Sequence, residues 1–195
     1  KLFLSSMTQK DQEKWDSKYD TAEFIAGKLP CKWLTENSEL LSGRGRALDL
    51  AMGEGRNAVY LAALGYEVQG VDISTVGTDK AKILAKQKNV NISIEISDLD
   101  NYQPKSNEYD LIVCCNFLDR CLFPRIRKAL KVGGLLFYET FNIDYLKYSD
   151  FKKEWVLDRC ELLKVFSGFQ ILRYREMDTG EKGFASLVGQ KLYEN

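Results

Sequence analysis

The sequence predicts an α/β fold with a mostly parallel sheet of seven strands, helices on both faces and a C-terminal antiparallel hairpin. Two observations support this prediction. From residue 46 to residue 166, short strand-like runs alternate with segments of helical periodicity. Two further strand-like runs then follow each other at the C-terminus, with only a glycine-containing connection between them. Alternating strands and helices are typical of a parallel sheet that is covered on both faces.

Five runs are interpreted as the parallel strands: residues 46–51, 66–71, 92–96, 110–115 and 135–138. The run at 110–115 is apolar throughout, as expected of a strand buried on both faces. Helical patterns separate these runs at 58–64, 75–88 and 124–131. The pair Gly133-Gly134 is expected to turn the chain before the fifth strand.

The two ends of the chain complete the predicted fold. Helices are expected over 8–20, from about 22 to 42 with an interruption near Pro30, and over 161–166. Strands at 169–177 and 184–193 are joined by the hairpin connection 178–183. We interpret residues 1–195 as one domain, with an N-terminal helical segment of about 8–42 before a core of about 43–195. Lys1–Ser6 are interpreted as a leader before a natural start at Met7.

The composition excludes several classes of function. The 195 residues include 28 acidic and 28 basic side chains, so nothing indicates a nucleic-acid partner. Histidine is absent, which excludes a histidine base and the usual histidine zinc sites, and no metal site is predicted. No apolar run reaches the roughly 18 residues that span a bilayer. Because the five cysteines are interpreted as reduced thiols, a cytoplasmic protein without a membrane partner is expected.

The clearest functional signal follows the first strand, in Asp49-Leu-Ala-Met-Gly53-Glu-Gly55-Arg-Asn57. Its glycines allow a tight turn and close approach of a ligand, and the next helix offers free N–H groups. Carboxylates lie at the ends of neighbouring strands, at Asp72, Asp98 and Asp110. A carboxylate such as Asp72 can accept hydrogen bonds from both hydroxyls of a ribose. The pattern therefore predicts a nucleoside site.

Two nucleoside ligands compete for this site. Gly53-x-Gly55-x-x-Ala58 matches the dinucleotide-binding pattern, with Asp72 near the expected acidic position, so an NAD(P)-dependent oxidoreductase is one alternative. Against it, the negative pyrophosphate would lie near the Asp49 carboxylate, and the chain lacks a second mononucleotide-binding half. A ligand that carries an amine and a sulfonium explains Asp49 better.

The motif series resembles that of the class I S-adenosylmethionine-dependent methyltransferases, which have a Rossmann-like fold. The resemblance rests on the turn at 49–57, Gly70-Val-Asp72-Ile-Ser, Ser97-Asp98-Leu, Tyr109-Asp-Leu-Ile-Val and Leu130-Lys-Val-Gly-Gly-Leu-Leu. Trp15-Asp-x-Lys-Tyr19 and Tyr138-Glu-Thr-Phe-Asn142 resemble the group of tellurite-resistance and thiopurine methyltransferase-like proteins. The turn departs from the family pattern at Met52, where a small residue is usual.

The resemblance implies that S-adenosylmethionine is the cofactor. The turn would hold its methionyl part, Asp72 its ribose, and Ile73 one face of its adenine. The implied cofactor-binding residues are Trp15, Tyr19, Asp49, Ala51, Gly53, Gly55, Asn57, Asp72, Ile73, Asp98, Leu99 and Asn116. Trp15 and Tyr19, four residues apart on one helix, either form a lid over the cofactor or pack the helix onto the core, or do both.

The expected reaction is in-line methyl transfer to a small-molecule or metalloid acceptor. A soft nucleophile needs little help from a base, whereas an alcohol or amine needs one. The candidate residues near the reacting groups are Asn116, Phe117, Asp119, Tyr138 and Glu139. A binding protein that holds S-adenosylmethionine without catalysis is a second alternative, and a monomer or homodimer is expected.

Two further clusters are interpreted as structural. Because neighbouring residues of a strand face opposite sides, Cys114 and Cys115 cannot readily share a metal ion and are expected to be packed in the core. Lys80, Lys82, Lys86 and Lys88 are expected to form a solvated face of a helix.

Overall fold

A computed structural model describes Leu2–Tyr193, with the side chains of the first helix described from Gln9 onward. The strands are β1 (Arg46–Leu50), β2 (Glu67–Asp72), β3 (Ser93–Ile96), β4 (Tyr109–Cys115), β5 (Leu130–Phe141), β6 (Phe169–Asp178) and β7 (Gly183–Lys191). They form a seven-stranded sheet in the order β3-β2-β1-β4-β5-β7-β6. The predicted fold class is therefore confirmed.

The helices are α1 (Leu2–Tyr19), α2 (Lys32–Glu36), α3 (Arg56–Leu64), α4 (Thr75–Gln87), α5 (Leu122–Ala129) and α6 (Glu161–Val165). Short 3-10 helices cover Ser38–Leu40, Ile143–Lys147 and Lys153–Trp155. The predicted helix from about 22 to 42 is wrong for its first half, because residues 20–31 are irregular. Several of their backbone groups instead form hydrogen bonds with side chains of residues 54–57 and of Lys80.

The chain divides into two compact units, Lys1–Tyr102 and Gln103–Asn195. In the first unit, β1 pairs with β2 and β2 with β3, all in parallel. Asp49 of β1 lies in register with Gly70 of β2, so the strand ends that precede α3 and α4 are side by side. Helix α1 packs against α4.

In the second unit, β4 and β5 are parallel, and β5-β7-β6 form an antiparallel ladder. The predicted turn at Gly133-Gly134 is wrong, because both glycines lie within β5. The register there shifts from Tyr109↔Leu130 to Leu111↔Leu135, so the glycines form a bulge in a longer strand. Cys114 and Cys115 are buried in β4, which confirms that they are packed in the core.

Candidate cofactor-binding site

The turn after β1 has an unusual backbone. Ala51, Gly53 and Gly55 all have positive φ angles, of 54°, 53° and 80°. The turn is closed by hydrogen bonds from the Met52 N–H to the Val71 carbonyl, 3.1 Å, and from the Gly55 N–H to the Met52 carbonyl, 2.9 Å. It leads directly into the N-terminus of α3 at Arg56.

Gly55 combines a left-handed backbone with a close approach to α4. A Cβ atom on Gly55 would lie 2.5 Å from the Cβ of Ala81, a distance at which atoms overlap. Only glycine therefore allows this turn to pack against α4.

We expect Gly55→Ala to destabilise the protein more than Gly180→Ala, a matched control. Gly180 has a similar φ of 83° but nothing within 4 Å of an added Cβ. Gly180→Ala should lower the free energy of unfolding by about 1 kcal/mol, the cost of a left-handed alanine. Gly55→Ala adds overlap with Ala81 and should cost about 1–3 kcal/mol more. Urea unfolding of both variants measures the difference, and equal losses would contradict the packing argument.

Met52, where the family usually has a small residue, is buried against β2. A Cβ atom on Gly70 would overlap the Met52 Sδ atom. The methionine is accommodated because the residue beside it has no side chain.

Asp49 is a buried carboxyl group. It is 1% exposed, and neither of its oxygens has a hydrogen-bond partner among the described residues. Burial, with a smaller contribution from the charge of Asp72, raises its pKa to about 7, although the Ala58 backbone N–H and Arg56 oppose the shift. A cationic ligand group would stabilise the ionised form of Asp49.

Asp72 organises the turn from the end of β2. Its Oδ2 accepts the Gly53 N–H at 2.7 Å, and its Oδ1 accepts the Ser74 N–H at 2.9 Å. Burial raises the pKa of Asp72, although these backbone hydrogen bonds oppose that shift. Since a carboxylate offers about four acceptor positions, it retains capacity for the two hydroxyls of a ribose.

The end of α1 covers this turn. The Tyr19 hydroxyl lies 2.6 Å from where a Cβ of Gly53 would be, and its ring also contacts Gly77 of α4. Trp15 stacks on Tyr19 with ring centroids 5.8 Å apart. Burial raises the pKa of Tyr19, and the charge of Asp72 adds to the shift, so the phenol stays neutral.

Asp16 is a residue that the sequence argument did not single out, although it lies inside the Trp15–Tyr19 motif. Its Oδ1 accepts hydrogen bonds from Ser74 Oγ at 2.6 Å and from the Val76 N–H at 3.1 Å. A carboxylate from α1 therefore caps the N-terminus of α4, where negative charge is favoured.

The remaining predicted residues of the first unit have different surroundings. Asn57 is buried, and its Oδ1 accepts the Cys31 N–H at 2.8 Å, so this side chain anchors the segment before α2. Leu99 is buried, Ile73 is half-buried, and Asp98 accepts the Asp100 N–H at 3.0 Å. Their contacts with a cofactor stay predictions.

The second unit holds the predicted residues near the reacting groups. Asn116, with a φ of 58°, follows β4, and its N–H donates to the Glu139 carbonyl at 2.8 Å. Tyr138 is fully buried, and its hydroxyl donates to the Phe117 carbonyl at 3.0 Å. Burial raises the pKa of Tyr138 far above its usual range, which disfavours the phenolate that a base would require.

Two carboxylates remain as candidate bases in this unit. Glu139 accepts hydrogen bonds from Ser186 and from Arg175, the latter at 3.3 Å. Asp119 accepts the Cys121 N–H at 2.8 Å through Oδ1, whereas its buried Oδ2 has no hydrogen-bond partner among the described residues.

Comparison with known proteins identifies the family. Residues 47–134, which include the turn and the ends of β1, β2 and β4, match the family described as a methyltransferase domain. This region is a methyltransferase domain. The family predicted from the motif series is confirmed, and the turn at 49–57 lies within the matched region.

The curated relatives of this chain match only part of it. A ubiquinone biosynthesis O-methyltransferase of Coxiella burnetii is 30% identical over 118 residues, 58% of this chain and 50% of the relative. The enzyme of the same name from Bordetella bronchiseptica is 29% identical over 137 residues, 66% of this chain and 56% of the relative. The chain thus spans about half the length of the curated relatives it matches.

Solved structures show the same fold. TehB from Haemophilus influenzae superposes with a TM-score of 0.69 and 22% identity, over 92% of this chain and 66% of TehB. A second structure is described as the conversion of a disulfide bond into a thioacetal group during echinomycin biosynthesis. It superposes with a TM-score of 0.70 and 17% identity, over 92% of this chain and 91% of that protein.

Proposed function

We propose that this chain transfers a methyl group from S-adenosylmethionine, the family's cofactor, to a small-molecule acceptor. The observation that carries the proposal is the buried Asp49 carboxyl, which lacks a hydrogen-bond partner among the described residues at the start of a glycine turn. The ammonium group of the cofactor would supply the missing partner. Asp72 and the left-handed turn would then bind the ribose and the methionyl part.

The residues of this chain bind and orient in this reaction. The bound cofactor supplies a methyl group already activated by its sulfonium. Asp49 would fix the amino acid end, Asp72 the ribose, and the half-buried Ile73 the adenine. Tyr19 and Trp15 would exclude water above the turn. With reactants aligned, most of the rate comes from orientation and exclusion of water, which requires no histidine.

An NAD(P)-dependent oxidoreductase fits the turn less well. The pyrophosphate of a dinucleotide would approach Asp49, and its negative charge would repel the ionised form of this buried carboxyl group. A positively charged ligand group gains from the same carboxylate. The charge of the ligand, rather than the glycine spacing, separates the two alternatives.

For the acceptor, we propose an aromatic small molecule in preference to a metalloid. A cluster of four rings begins at the carboxyl end of β5, with centroid distances between 4.1 and 6.0 Å; its members are Phe141, Tyr145, Phe151 and Trp155. Phe151 and Trp155 are exposed. The names of the curated relatives, as ubiquinone biosynthesis O-methyltransferases, agree with an acceptor oxygen. For a hydroxyl, Glu139 or Asp119 would be the base.

A thermal-shift titration with S-adenosylmethionine, S-adenosylhomocysteine and NADH tests the cofactor. A ligand at one hundred times its Kd adds about 2.7 kcal/mol to stability, which raises the Tm of a protein of this size by roughly 5–10 °C. We expect a shift with the two sulfur-containing ligands only. A shift with NADH alone would overturn the proposal. Binding without turnover on phenols, thiols or tellurite would favour a non-catalytic binding protein.

No helix among residues 2–193 is long and apolar enough to cross a membrane. The single-domain organisation and the monomeric or dimeric state stay predictions.

A further inference from the structure

Lys80 does not belong to the solvated basic face that the sequence predicted. Lys82, Lys86 and Lys88 of that face are exposed, whereas the Lys80 side chain is only 11% exposed. Its ammonium group donates to three backbone carbonyls, those of Tyr19 and Thr21 at 3.2 Å each and of Glu23 at 2.6 Å. A single cation therefore binds the end of α1 and the irregular segment that follows it.

Glu54 completes this arrangement from the glycine turn. Its side chain is 1% exposed and forms an ion pair with Lys80. Its Oε2 also accepts the Ala26 N–H at 3.2 Å, and Arg56, two residues further along the chain, donates to the Ala26 carbonyl at 3.0 Å. The ion pair thus joins Glu54, which lies between Gly53 and Gly55 in the turn, to residues 19–26. This segment begins with the last residue of α1 and continues as irregular chain.

Lys80 is also connected to Tyr19, whose ring covers the turn. Lys80 holds the backbone carbonyl of Tyr19, and the ring of Tyr19 lies against Gly53. The ammonium also lies 5.1 Å from the ring centroid of Phe24, in the same irregular segment. A shift of the Lys80 side chain would therefore release both the end of α1 and the segment behind it.

A buried ion pair is a poor way to gain stability, because removing two charges from water costs about as much as their attraction returns. It is a good way to fix geometry, because each charged group accepts few arrangements of its partners. The three carbonyls around Lys80 all belong to the covering segment, and the carboxylate belongs to the turn. We call this arrangement, in which Lys80 and Glu54 connect the covering segment to the turn, the clasp.

We propose that Lys80 and Glu54 are positioning residues that hold residues 19–26 over the cofactor turn and thereby slow release of the bound cofactor. This inference rests on the proposed function, because it assigns the clasp to the same turn. Neither residue needs to contact the cofactor. Their effect passes through the Tyr19 ring and the backbone of the turn.

The test compares Lys80→Met with Lys82→Met, a control on the same helix whose lysine forms an exposed ion pair with Asp79. We expect Lys80→Met to raise the dissociation rate of S-adenosylhomocysteine about tenfold, the typical effect of losing hydrogen bonds to a charged group. Hydrogen exchange should accelerate in residues 19–27 but not in β1 or β2. Lys82→Met should match the wild type in both measurements, and Lys80→Arg should retain most of the effect of lysine.

A Lys80→Met variant that exchanges faster at 19–27 but releases the ligand at the wild-type rate would overturn the inference, and so would unchanged exchange. If Lys80→Met fails to fold, Glu54→Gln, which keeps the size of the side chain and removes the ion pair, carries the same expectations. Wild-type protein that binds no S-adenosylhomocysteine would instead overturn the proposed function, so the two failures are distinguishable.

Discussion

Replacing Asp72 by alanine is expected to weaken binding of S-adenosylhomocysteine by about 1–3 kcal/mol, roughly 5- to 150-fold, the cost of removing a buried charged hydrogen-bond partner. The variant loses the proposed ribose contacts. It also frees the Gly53 and Ser74 N–H groups that Asp72 now holds at 2.7 and 2.9 Å, so the turn loses part of its order. Isothermal titration calorimetry on both proteins measures the change in affinity.

Asp79→Ala is a suitable control, because Asp79 is an exposed carboxylate on α4 that pairs with Lys82 at the surface. It should bind the ligand as tightly as the wild type. Wild-type affinity in the folded Asp72→Ala variant would remove Asp72 from the cofactor site.

Affinity for S-adenosylhomocysteine is expected to fall as the pH drops below 7. In the free protein, burial raises the pKa of Asp49 to about 7, so the carboxyl is mostly protonated at pH 6. A ligand ammonium requires the anion, and binding below pH 7 must therefore expel a proton. The affinity should decrease by up to tenfold per pH unit in this range. Calorimetry between pH 5.5 and 7.5 covers the transition, with the ligand amine still charged below about pH 8.

Asp49→Asn removes the titrating group and should make the affinity independent of pH over the same range, at a value roughly tenfold or more below that of the wild type at pH 7.5.

The stability of the free wild-type protein should decrease as the pH rises, whereas its affinity for the ligand increases. Because the raised pKa means that the folded state binds this proton more tightly than the unfolded state, the wild type loses stability as the pH rises through 7. Asp49→Asn should therefore unfold at a higher urea concentration at pH 8. Equal pH dependence in both proteins would contradict the role of Asp49.

Most elements of the fold could be predicted because each depends on its own residues. The apolar run at 110–115 became β4, and Ser74 caps α4 by accepting the Gly77 N–H at 2.9 Å. The errors lie where distant contacts decide. Gly133-Gly134 is a turn signal by composition, but both glycines lie in a bulge of β5, where the register with β4 shifts. Residues 22–30 are held irregular by partners that lie 28 to 59 positions away.

The site was predictable to a similar extent. Asp49, Gly53, Gly55 and Asp72 could be found because they lie at strand ends and follow a known spacing. Asp16, Glu54 and Lys80 were not found. Asp16 and Glu54 lie inside the motifs at 15–19 and 49–57, but only the fold shows which groups they bind. Lys80 has the same local pattern as Lys82, and only folding brings the carbonyls of residues 19–23 to one of them.

Met52 and Gly70 have a consequence for how this turn can be exchanged between proteins. The Met52 side chain occupies the space that any side chain at position 70 would need. A graft of the turn alone into a relative with a larger residue at position 70 would clash, whereas a graft of residues 49–72 would carry both members of the pair. The turn and the second strand are therefore best exchanged together.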